Sequence, residues 1–147
     1  MTTSVKDVEA TVEAIRKVNW DIKNYYWMSN QITQHDIEHY IYSITARYGI
    51  DGSLPKAKGR RSDPTYGAVQ RKIREENRIK RYIETITRLE NAVATLEDEK
   101  ERIVIEGCMD RISLSQIGRM LGISKQAVFE IKEKAVQKLA VKMYLNP

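Results

Sequence analysis

Apolar residues recur along this chain at gaps of three and four, the spacing that gathers side chains on one helix face, and the fold class predicted is all-α. The first run is Val5, Val8, Val12, Ile15, Ile22 and Tyr26, with Asn19 at the one position of the rhythm that is not apolar. It predicts an N-terminal helix with a narrow seam. Trp20 and Trp27 lie on an adjacent stripe, so this helix is expected to pack against more than one partner. A second helix is predicted through Ile37, Tyr40, Ile41, Ile44 and Tyr48, opened by the capping pair Thr33 and Asp36 and ended by Gly49.

Ser62-Asp63-Pro64 predicts the start of the longest helix, because Pro is tolerated in a first turn whose N–H groups have no partner. Along it Ile79, Tyr82, Ile86, Leu89, Val93 and Leu96 form a heptad seam. So short a seam needs a partner, either the N-terminal helix, a second subunit, or both. Asp98 and Glu101 suggest a new helix start or a bend, after which Ile103, Val104 and Met109 would cover the C-terminal part. Met143, Tyr144 and Leu145 would tuck back onto it. The expected organisation is an aromatic-rich helical region (1–50) for oligomerisation or partner binding, a basic linker (51–62), a long central helix (63–97), and a small C-terminal domain (98–147).

That last region holds the most specific pattern, S-L-S-Q-I-G-R-M-L-G-I-S-K-Q-A-V-F-E-I-K-E-K-A-V-Q-K-L from Ser113 to Leu139. Ser113 with Gln116 reads as a reciprocal capping box, so a helix starts at Leu114. It ends at Gly122, a residue that adopts the left-handed conformation without a Cβ clash. Ile123 plugs the turn and Ser124 caps a second helix, whose Val128, Ile131, Ala135 and Leu139 face Ile117 and Leu121. Gly118 is small where the helices would approach. The pattern predicts a helix-turn-helix, with Lys125, Gln126, Phe129 and Glu130 on the free face and Lys132 and Lys134 behind them.

The charge distribution agrees with a polyanionic partner. The net charge is +5, and it is concentrated: residues 56–81 carry 10 basic against 3 acidic residues, and residues 111–147 carry 7 against 2. The one cysteine, Cys108, can form neither an internal disulfide nor a zinc finger, which fits a reducing cytoplasm. No apolar run is long enough for a membrane span, and the start T-T-S-V-K-D-V-E lacks the apolar segment of a signal peptide.

Candidate chemistry elsewhere is thin. His35 and His39 are one turn apart in H-D-I-E-H, but Glu does not follow the first His and no third ligand is evident, so an exposed helix face is the preferred reading. Trp20 and Trp27 are read as a buried interface, because base stacking is disfavoured on an acidic segment. The stretch D-G-S-L-P-K-A-K-G-R-R-S from Asp51 to Ser62 either lies along phosphates or is a solvated linker. No Gly-rich phosphate loop or Cys-His pair marks an enzyme, and no cofactor is expected.

The last 50 residues resemble region 4 of bacterial sigma factors, and S-D-P-T-Y-G-A-V followed by a long charged helix resembles phage late-gene transcriptional regulators of the ArpU and RinA type, over roughly residues 62–140. The resemblance implies a phage or prophage activator of late genes that binds double-stranded DNA and contacts host RNA polymerase. By position, Ser113, Ser115, Gln116 and Ser124 would hold phosphates or orient the helix, while Lys125, Gln126 and Glu130 would face bases. Ala127 and Phe129 stand where sigma factors carry Arg, so a −35 consensus does not follow as the target. Phe129 would touch a thymine methyl or a protein.

The expected function is therefore a cytoplasmic, non-enzymatic, homodimeric transcriptional regulator that reads duplex DNA. One alternative is a phage DNA-packaging protein resembling a small terminase subunit, which a ring-sized mass in solution would reveal. The other is a metal-dependent hydrolase on His35 and His39, which metal analysis would test.

Overall fold

Without Gly or Pro before Gly49, nothing in the first 48 residues interrupts helix propagation. In the computed structural model, which describes residues 4–48 and 66–146, helix α1 accordingly runs unbroken from Val5–Tyr48. The separate helix expected to start near Thr33 is thus a continuation of the first. The chain is all-α: α2 spans Tyr66–Ala94, α3 Glu99–Met109, α4 Leu114–Leu121 and α5 Lys125–Ala140, followed by a π-helical turn, Val141–Leu145. The basic linker and the Ser62-Asp63-Pro64 start lie outside the described residues. Among the described residues, no helix is long and apolar enough to cross a membrane.

Two units divide the chain. One comprises Met1–Met28 with Glu84–Pro147, and the other Ser29–Ile83. The core of the first gathers Ala14, Val18 and Ile22 of α1, Leu89, Ala92, Val93 and Leu96 from α2 and the turn after it, Ile105 and Met109 of α3, and the buried side of α5 through Met143. On α1 the buried line is rotated by about one residue, roughly 100°, from the expected seam. Val5, Val8 and Val12 stay exposed while Ala14 and Val18 are buried.

The heptad seam of α2 is filled within the chain, since Ile79, Ile86, Leu89, Val93 and Leu96 are all buried. Of the two partners expected for so short a seam, the chain itself already covers these residues. The helix stops at Ala94, short of 97, where the N–H groups of Thr95 and Leu96 bond three residues back to Ala92 and Val93. Lys142 then donates to the Thr95 carbonyl and hydroxyl at 3.1 and 2.7 Å, placing a cation at the negative helix end. Tyr144 and Leu145 pack on the same core, so the C-terminal residues tuck onto α1 and α2.

The second unit contains the rest of α1 and the first part of α2. Ile79 is buried in it, whereas Ile37, Tyr40, Ile41, Tyr66 and Ile73 are exposed.

Candidate nucleic-acid interface

Three caps set the geometry of the C-terminal helices. Asp98 accepts from the Lys100 N–H at 2.9 Å and starts α3, which settles the break between α2 and α3. Glu101 plays no capping part: it is buried, and the Lys138 ammonium of α5 donates to both its oxygens at 2.8 and 2.9 Å. That hydrogen bond holds Lys138 above its ordinary pKa. Ser113 accepts from the Gln116 N–H at 3.2 Å and starts α4. Among the described residues Gln116 makes no return bond, so the expected reciprocal box is a single cap.

The turn between α4 and α5 follows from Gly122, whose φ of 70° lies in the left-handed region. Its N–H reaches the Arg119 carbonyl, and the Ile123 N–H bonds the Gly118 carbonyl at 2.9 Å, closing a Schellman turn. Gly118 is required by this turn rather than by α5. A Cβ there would lie 2.7 Å from the Ile123 carbonyl oxygen. Ser124 then accepts from the Ala127 N–H at 3.1 Å and starts α5.

A small core joins the motif: Val104 of α3, Ile117 of α4 and Val128 of α5 are buried, with Leu121, Ile123 and Ile131 packed around them. Three fully buried aliphatic side chains stabilise by only about 1.5–3 kcal/mol each, so α4 also depends on its neighbours. Ala135 and Leu139 belong to the main core instead, as does Met109, and Ile103 enters neither core. Cys108 packs against both cores, and burial pushes its thiol up, which favours the protonated form.

Gln126 and Glu130 occupy the middle of the solvent face of α5, one turn apart, followed by Glu133 and Gln137. Lys125 and Phe129 lie along one edge and Lys134 along the other, all exposed. Lys132 is half-buried and lines a groove of about 490 Å³ with Ile15, Asn19, Phe129 and Val136. Lys134 lines another, of about 500 Å³, with Lys100, Ala127 and Glu130. Lys134 therefore stands at the edge of the solvent face, while Lys132 lies behind it, as expected. Ser113 and Ser124 serve as caps, and Ser115 and Gln116 are exposed in the first turn of α4.

Three contributors to this geometry had no reading in the sequence. Arg111 sits at φ 63°, the conformation glycine usually takes after a helix, and its guanidinium lies 5.4 Å from the Tyr26 ring centroid. Gly107 leaves room for Ile117, whose Cδ1 is 2.8 Å from where a Cβ would be. The third is the approach of Ile15 and Asn19 to Phe129. Elsewhere the expected features are dispersed. Trp20 and Trp27 are exposed rather than buried within the chain. His35 and His39 stack with centroids 6.3 Å apart, and among the described residues no group of three or more His, Cys, Asp or Glu side chains gathers around them.

A protein of Bacillus subtilis strain 168, named uncharacterized protein YqaQ, is 24% identical over 129 residues, 80% of this chain and 83% of that protein. No family model matches the chain, and no solved structure matches it.

Proposed function

We propose that this protein is a sequence-specific, DNA-binding transcriptional regulator without catalytic activity, which places α5 in the major groove. The observation that carries this reading is the pair of capped helices joined by a Gly122 Schellman turn, with Lys125, Gln126 and Glu130 turned to solvent at the start of the second. Gln offers a bidentate pair to adenine, Lys donates to guanine, and Glu accepts from cytosine N4. Lys134, exposed at the edge of that face, and Lys132, half-buried behind it, are the proposed phosphate contacts. The resemblance to ArpU and RinA type regulators supports a role at phage or prophage late genes with host RNA polymerase, in the cytoplasm.

The regulator is proposed to act as a homodimer through α1. Its exposed Val5, Val8 and Val12 keep the three-four spacing of a helix–helix seam and lie outside the core of their own chain. A second copy is therefore the occupant of this face.

The test is duplex binding measured across salt concentrations. Replacing Lys132 and Lys134 with Gln should weaken binding to all sequences and reduce the slope of log K on log salt by about 2, at roughly 0.9 per phosphate. An unchanged slope would remove both lysines from the interface.

A further inference from the structure

The second unit presents a charged face that the helix-turn-helix does not use. In α2, Arg71, Arg74, Arg78 and Arg81 follow at gaps of three, four and three, so they share one side of the helix. All four are exposed. The residue types are segregated by face: the four positions on this line are all Arg, whereas Lys72 and Lys80 point elsewhere. Of the two carboxylates in this stretch, Glu75 flanks the line and Glu76 turns away. Among the described residues no carboxylate forms an ion pair with Arg71, Arg74 or Arg78.

Guanidinium groups in a row suit phosphate oxygens, because each is a rigid planar fork that binds two oxygens at once and keeps its charge at any physiological pH. The row extends over about 15 Å of helix, close to half the 34–36 Å turn of a duplex. A compact acidic ligand would engage two of these groups at most. A continuous polyanion engages the whole line.

We infer that the arginine line Arg71-Arg74-Arg78-Arg81 is a second DNA contact, a sequence-independent clamp on the phosphate backbone of duplex DNA. It supplies affinity, and α5 supplies base preference. The identification of the polyanion as duplex DNA rests on the reading of the helix-turn-helix, and the experiment separates the two.

The full-length chain is compared with the R71Q/R74Q/R78Q/R81Q variant, a fourfold Arg→Lys variant, and the K72Q/K80Q variant, after circular dichroism establishes equal helicity and melting. Each is titrated with a random-sequence duplex over a range of salt and subjected to binding-site selection. In the fourfold Gln variant the salt slope should fall by about 2–4 with base preference unchanged, since each phosphate contact contributes roughly 0.9. The Lys variant should keep most of the slope, and K72Q/K80Q should lose less per charge removed. An unchanged slope in the fourfold Gln variant, or equal loss per charge in K72Q/K80Q, overturns the clamp while leaving the helix-turn-helix reading intact. Loss of slope in a protein that selects no sequence keeps the clamp and overturns the base-reading role of α5. A wild-type chain that binds no duplex overturns both.

Discussion

The Tyr144 hydroxyl donates to the Asp21 carboxylate, tying the last turn of the chain to α1. Asp21 is buried, and the charged groups of Lys17 and Arg88 lie 5.4 and 5.6 Å from the Tyr144 ring centroid. Burial raises the Asp21 carboxyl above its ordinary range, against the opposing pull of Tyr144, Arg88 and Lys17. A carboxyl with a raised folded pKa contributes stability that is present at low pH and lost as pH rises through that value. Asp21→Asn, which retains an acceptor for Tyr144, should therefore raise the melting temperature at pH 7. Its advantage should shrink as pH falls through the carboxylate range, and a lower melting temperature at pH 7 would contradict the assignment.

Burial together with a carboxylate partner, Asp21 for Tyr144 and Glu90 for Tyr25, pushes both phenols up to about 12. For these groups stability is intact below the unfolded value near 10 and is lost as pH rises from about 10 to about 12. Absorbance titration should show a late ionisation step from Tyr25 and Tyr144. Tyr25→Phe with Tyr144→Phe should abolish that late step and flatten the alkaline loss of stability.

Gly118→Ala should destabilise the turn between α4 and α5, and the fold with it, by about 1–3 kcal/mol, the usual range for forcing atoms into a packed site. The new Cβ meets the backbone carbonyl of Ile123, which cannot rotate aside as a side chain would. Gly67→Ala, with nothing within 4 Å, is the control and should be close to neutral. Thermal unfolding of both variants reads the difference.

Leu89→Ala should destabilise the monomer fold by about 2–5 kcal/mol, because Leu89 is wholly buried in its own chain. Charges at Ile86 and Leu89 would for the same reason unfold the chain rather than report on a dimer. Val8→Lys with Val12→Lys acts on exposed positions of α1 and should halve the mass in solution with unchanged helicity. Unchanged mass would exclude α1 as the subunit contact.

The all-α class and the helix-turn-helix were legible in the sequence because their signals are local. Ser113, Gly122 and Ser124 each fix a backbone conformation through their own side chains, or the lack of one. Which face of a helix is buried depends on its partners, so the periodicity of α1 points to Val5, Val8 and Val12 although Ala14 and Val18 form the packed line. The heptad of α2 is visible in the sequence, but periodicity does not distinguish a partner in the same chain from one in another. Arg111 shows the limit most clearly: its left-handed backbone is held by surrounding structure, and nothing in the residue announces it.

Whether the start of α5 reads bases is measured by selection on randomised duplexes with the wild type, Gln126→Ala and Glu130→Ala. Gln126→Ala should relax preference at one base position, worth about 1–3 kcal/mol of discrimination, while binding to non-cognate duplex is nearly unchanged. Glu130→Ala should relax preference at a different position, one where the wild type favours cytosine. Identical base preferences in all three proteins would contradict the account.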